Sequence, residues 1–206
     1  MRLSKLHGLA AIAAMVVMAS IGTSSAAAEG PTAFCEKHED PCEAANVYVG
    51  HVAAVAENPR FLTGETSIVC KKSQLLGFNL GLGNPLTIHL QLLNFTEDCL
   101  ATGGFGCEVN TTELGLLLLL RTALNLATVQ THGIKILVNC PGTGIHCGYT
   151  GLWGPLHALG SPNGESLAEI RAEEIPLEQT GLFCPEETKF DALYRLVLPD
   201  PIAITG

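Results

Sequence analysis

Three stretches of the chain alternate apolar and polar residues with a period of two, the spacing of a strand with one face turned inward. Leu86, Ile88, Leu90 and Leu92 point one way, while Thr87, His89 and Gln91 point the other. Ile134, Ile136, Val138 and Cys140 repeat the pattern. So do Phe190, Ala192, Tyr194, Leu196 and Leu198, after which Pro199 and Pro201 end the strand because proline cannot donate to a ladder. Less regular runs at residues 47–56, 66–69, 74–80, 108–112, 148–153 and 167–177 predict further strands. The leucine block at residues 114–120, interrupted by Gly115 and stopped by Arg121, reads as a strand buried on both faces.

Turn residues punctuate these runs: Gly83, Asn84 and Pro85; Gly103, Gly104 and Gly106; Pro141, Gly142 and Gly144; Gly160, Pro162, Asn163 and Gly164. Many short strands so separated predict an all-β fold, an antiparallel sandwich or a barrel-like domain, rather than alternating strands and helices. Residues 165–178 hold good helix formers and leave room for one short helix. The glycine-rich stretch 77–83 predicts a bulged strand and a turn. A weak echo, strand–cysteine–loop–cysteine–strand, recurs at residues 90–109 and 134–149 with Asn94 and Asn139 ahead of the first cysteine, as two bracing hairpins would give.

The N-terminus departs from this pattern. Arg2, Lys5 and His7 precede an apolar run from residue 9 to residue 21, which ends in Thr23, Ser24, Ser25, Ala26, Ala27 and Ala28. A charged start, an apolar stretch and a small-residue exit are the three parts of a secretory leader. The run is too short for a helix that must cross about 30 Å of hydrocarbon. Ala26 and Ala28 meet the small-residue rule and place cleavage after Ala28. The expected organisation is a signal peptide over 1–28, an N-terminal extension over 29–45 and a β-rich domain over 46–206, secreted or held in the cell envelope, with no membrane span in the mature chain.

Export makes disulfides the default for the eight cysteines, all of which lie beyond the leader. Eight cysteines allow 105 pairings, so spacing can only suggest a connectivity. It suggests Cys35 with Cys42, Cys99 with Cys107 and Cys140 with Cys147, each enclosing a polar or glycine-rich loop, and leaves Cys70 with Cys184 as a long-range bridge. Structural zinc is disfavoured, because six, seven and six residues separate the close pairs and zinc knuckles have about two to four.

An approach strand ending in Cys70, a second ending near Asn94 and Cys99, then Cys107-Glu-Val, Val138-Asn-Cys140, Cys147-Gly-Tyr149, Cys184-Pro185 and a last strand Asp191-Ala-Leu-Tyr194 before Pro199 and Pro201 form a recognisable layout. Over roughly residues 67–204 it resembles a group of uncharacterised secreted, β-rich proteins of high-G+C Gram-positive bacteria. The resemblance implies secretion and a β-rich fold, and it implies no site residues.

Composition and motifs then limit the chemistry. The chain has formal charge −9, and loss of Arg2 and Lys5 with the leader would leave nine basic residues against 20 acidic ones, a net of −11. A phosphate-binding surface needs clustered Lys and Arg, and only Lys71 and Lys72 adjoin, so nucleic acid is not an expected partner. The serine-hydrolase elbow, the His-Glu-x-x-His zinc motif, the phosphate loop and the dinucleotide fingerprint are all absent from the sequence. Beyond the leader, His38, His51, His89, His132, His146 and His157 fall at neither i, i+4 nor i, i+2 spacing. His38 with Glu39 and Asp40 is the one conceivable surface ion site. Asn94-Phe-Thr96 and Asn110-Thr-Thr112 match the N-glycosylation pattern, and Trp153 is either a core residue or a ligand anchor. No cofactor, metal site or catalytic set is expected. The functional expectation is a non-enzymatic binding or structural module for an extracellular or cell-wall ligand, and the alternative is a secreted hydrolase whose site gathers residues distant in sequence.

Overall fold

The computed structural model describes residues 30–37, 39–63, 65–96, 98–152, 156–159, 169–180, 184, 188–199 and 202–205. Fourteen strand segments close into one antiparallel ring, and their registers join them into eight longer arms that run up and down in chain order. The first arm is β2 (Gly50–Glu57) with β3 (Arg60–Thr63), and the second is β4 (Thr66–Val69) with β5 (Lys72–Asn79). Glu57 faces Lys72 and Arg60 faces Val69 in a single alignment. Across the interruption Asn58 N–H donates to the Lys71 carbonyl at 3.1 Å and Cys70 N–H to the Pro59 carbonyl at 3.0 Å.

Four more arms are built the same way: β6 (Leu86–Phe95) with β7 (Cys99–Ala101), β8 (Phe105–Glu113) with β9 (Leu116–Ala123), β10 (Leu126–His132) with β11 (Lys135–Cys140), and β12 (Ile145–Leu152) with β13 (Leu156–Leu159). The last two arms are β14 (Glu169–Thr180) and β15 (Thr188–Leu198). Each arm pairs with the next, and β15 closes the ring by pairing with β14 on one side and with β2 and β3 on the other. Of the two layouts open to the sequence, the barrel is the one formed, and closure removes the bare sheet edges that invite aggregation. Asn58, Asp98 and Gly133, all with positive φ, sit at arm interruptions, where bulges bend the strands around the barrel. At the β8–β9 junction a side chain on Gly115 would lie 1.9 Å from the His132 carbonyl oxygen, an approach only glycine permits.

Apolar faces turn inward and polar residues such as Glu57, Gln91, Glu108, Gln130 and Arg195 are exposed, the reverse of a lipid-facing barrel. No helix among the described residues is long and apolar enough to cross a membrane. Phe61, Phe95 and Phe190 pack edge-to-face and tilted with centroids 5.0–6.2 Å apart in one half of the core. The other half is sealed by the termini. There β1 (Ala33–Cys35) pairs with β16 (Ala203–Thr205) and buries Phe34, Ile202 and Ile204 against the core. The ribbon is fastened by Asn125, whose N–H donates to the Ile204 carbonyl at 2.8 Å and whose Oδ1 accepts the Ile204 N–H at 3.1 Å.

Several expectations are corrected. Leu92 is exposed, not inward with Leu86, Ile88 and Leu90. The ladder with β5 shifts between Leu76 and Gly77, which leaves Gln91 as an extra residue and turns Leu93 inward instead. The leucine block is buried on one face only, with Leu117 and Leu119 inside and Leu114 and Leu120 exposed. Residues 169–180 form β14, so helix propensity there yields to pairing with β12, β13 and β15.

The disulfides are Cys35–Cys42, Cys70–Cys99, Cys107–Cys140 and Cys147–Cys184. Only Cys35 with Cys42 is the pair that spacing suggested. Cys99 and Cys107 do lie directly opposite one another, but the registers also bring Cys70 beside Cys99 and Cys140 beside Cys107. The four form a row across four neighbouring arms. Joining the middle two would strand Cys70 and Cys140 about three strand spacings, roughly 14 Å, apart, far beyond a disulfide's reach. Cys147 opposes Val138, not Cys140, because Cys140 pairs with Ile145. Cys184 is therefore the partner of Cys147, and the expected Cys70–Cys184 bridge does not form.

Candidate functional site

The seam between β6–β7 and β8–β9 is paired only at its two ends. His89 faces Leu116 at one end and Cys99 faces Cys107 at the other. No ladder joins residues 91–95 to residues 108–113, which pair instead with β5 and β11 on their far sides. Had the Cys99–Cys107 register continued, Asp98 would stand opposite Glu108 and Thr96 opposite Asn110. Two carboxylates directly across a ladder repel each other, and the left-handed φ of 76° at Asp98 turns the chain away. Lys71 pairs with the Asp98 carboxylate.

The parted arms leave a groove of about 480 Å³ lined by Phe95, Thr96, Asp98, Glu108, Val109 and Asn110, with the two cysteines at one end. Phe95 and Val109 belong to the apolar core, whereas Asp98, Glu108 and Asn110 are exposed, so the groove has an apolar floor and a polar, acidic rim. The Asn94 Oδ1 and Thr111 Oγ1 atoms on its flanking strands are buried without hydrogen-bond partners. Just past the cysteine end, Leu100 and Phe105 present 48% and 47% of their surface to solvent. Thr102, Gly103 and Gly104 make the β7–β8 turn, where φ values of 93° and 83° at the two glycines admit the tight reversal.

Inside the barrel, the buried polar groups serve packing. Ser73 donates to the Asn94 carbonyl at 2.9 Å and meets the Tyr194 hydroxyl at 2.8 Å. Burial pushes the Tyr194 phenol up to about 12, which the Ser73 contact only partly offsets. Tyr149, raised by burial as well, receives a 3.4 Å hydrogen bond from Thr188.

The candidate residues read from sequence are dispersed. His51, His89, His132 and His146 are exposed. His51 stacks edge-on against Phe78 at 5.1 Å, and His146 Nδ1 lies 3.3 Å from Asn139 Oδ1. His157 is placed on β13 by its backbone alone. Glu39 accepts from Asn46 at 2.7 Å and Asp40 pairs with Arg121 at 2.5 Å, so the two carboxylates that follow His38 in the chain are engaged by the protein. His38 and Trp153 lie outside the described residues. Among the described residues no three His, Cys, Asp or Glu side chains converge as a metal site. The sequence did carry one signal for the groove: a hairpin centred on Gly103 that pairs Cys99 with Cys107 would, if continued, set Asp98 against Glu108.

Comparison of the chain with protein-family models, with curated proteins and with solved structures gives no match.

Proposed function

We propose that the chain is exported, sheds residues 1–28 and works outside the cytoplasm or in the cell envelope as a non-enzymatic binding or structural module that uses the groove between β6 and β8. The observation that carries this reading is a concavity opened in the wall of the barrel, between two strands whose inward residues pack into the apolar core. A wall groove suits a ligand engaged from outside. Export is supported by four disulfides, which persist in oxidising compartments, and by the leader-like N-terminus. The resemblance to uncharacterised secreted β-rich proteins of high-G+C Gram-positive bacteria points the same way.

The alternative, a secreted hydrolase, would have to draw on Asp98 and Glu108, the two carboxylates of the groove. Lys71 engages the first, and no histidine lines the groove. Both parts of the proposal are testable on the full chain. Expression with fractionation and N-terminal sequencing should recover a product beginning at Glu29 outside the cytoplasm, and a cytoplasmic product that keeps Met1 would contradict export. Glycan and peptide arrays probed with the mature protein should register binding without turnover. Hydrolysis abolished by Asp98→Asn or Glu108→Gln would establish the enzyme instead.

A further inference from the structure

Resting on the binding-module reading, we infer that the groove takes an extended polypeptide, seated by main-chain hydrogen bonds along the parted arms and oriented by a basic side chain against Glu108. In an antiparallel strand alternate residues send their N–H and C=O groups to opposite sides. Residues 91–95 use one side on β5, and residues 108–113 use one side on β11. Their facing sides look onto the groove with no ladder between them. Backbone donors and acceptors left bare at a strand edge are a template for another strand, which matches their spacing of about 3.3 Å per residue.

The charge of the rim selects this ligand chemistry. With Asp98 already paired to Lys71, the exposed Glu108 carboxylate gives the rim its negative charge, which repels a phosphate backbone and attracts lysine or arginine. The parted seam thus offers bare backbone groups to a strand, and Glu108 rewards a cation beside it.

The test uses the mature, disulfide-intact protein panned against a displayed library of random dodecapeptides. Enriched sequences should carry Lys or Arg among β-branched residues. Binding of a selected synthetic peptide should fall about tenfold or more on Glu108→Lys, with Glu108→Gln intermediate and both variants keeping the parent thermal midpoint within a few degrees. N-methylation of one alternate set of its amides should abolish binding, while methylation of the other set should not. Failure to enrich peptides, or binding indifferent to both Glu108 variants and to N-methylation, would overturn the inference. Glycan binding lost on Glu108→Lys and matched by no peptide would retain the module and sink the polypeptide ligand; silence on both arrays would sink both.

Discussion

At the mouth formed by the turns at residues 80–85 and 124–125, the ribbon of β1 and β16 seals the barrel: it brings Phe34, Ile202 and Ile204 onto the core, and Ile204 hydrogen-bonds to Asn125. In the opposite half no such plug is found among the described residues. Three disulfides lie there: two tie neighbouring arms in a row across β4, β7, β8 and β11, and the third ties β12 to Cys184, which falls between β14 and β15. One half is held by burial and the other by covalent links, and the open seam lies in the covalent half. A wall whose ladder is broken loses hydrogen bonds and packing, and a cross-link on each side of the break compensates by holding the arms in place.

Perturbing each half separately should sharpen this contrast. Phe34→Ala should cost about 3–5 kcal/mol in denaturant unfolding, and a loss below about 1 kcal/mol would mean the terminal ribbon is not part of the cooperative unit. Replacing Cys107 and Cys140 together by serine should cost about 3–4 kcal/mol, and replacing Cys35 and Cys42 about 2.5 kcal/mol, since the larger loop restrains more of the unfolded chain. Equal costs would argue against loop closure as the source. Between the two halves lies Tyr194. Its phenol is held neutral well above its ordinary value, so the unfolded chain releases a proton first as pH rises past 10, and stability should fall by up to about 3 kcal/mol between pH 10 and 12. Tyr194→Phe should flatten that slope, and an unchanged slope would assign the loss elsewhere.

Smaller effects probe the fasteners. Asn125→Ala removes a buried acceptor and places alanine at φ 58°, and should cost about 2 kcal/mol in thermal unfolding. Glu108→Gln removes a like charge from the rim it shares with Asp98 and should stabilise by about 0.5 kcal/mol or less. A clear destabilisation would mean Glu108 has a structural partner.

The barrel class and most of the strands were legible because burial on one face imposes a period of two on the sequence. The pattern failed where a single residue breaks that period: Gln91 is invisible as a bulge in a run that still looks alternating, so Leu92 was assigned inward. β10, whose Ala127, Val129 and Thr131 face inward, lacks large apolar residues and escaped notice. Disulfide pairing was illegible for a different reason. Closeness along the chain favours Cys99 with Cys107, and only the registers of four arms together reveal that each has another neighbour on its far side. The groove was half legible, since the hairpin brings Asp98 and Glu108 to its rim, but the parting of the arms is a property of the closed wall.

The most direct test of this architecture is non-reducing peptide mapping of the purified, fully oxidised protein by mass spectrometry. Peptides joining Cys70 to Cys99 and Cys107 to Cys140 are expected, as consecutive arms of a closed meander require, together with one joining Cys147 to Cys184. A peptide joining Cys99 to Cys107, or Cys70 to Cys184, would contradict it.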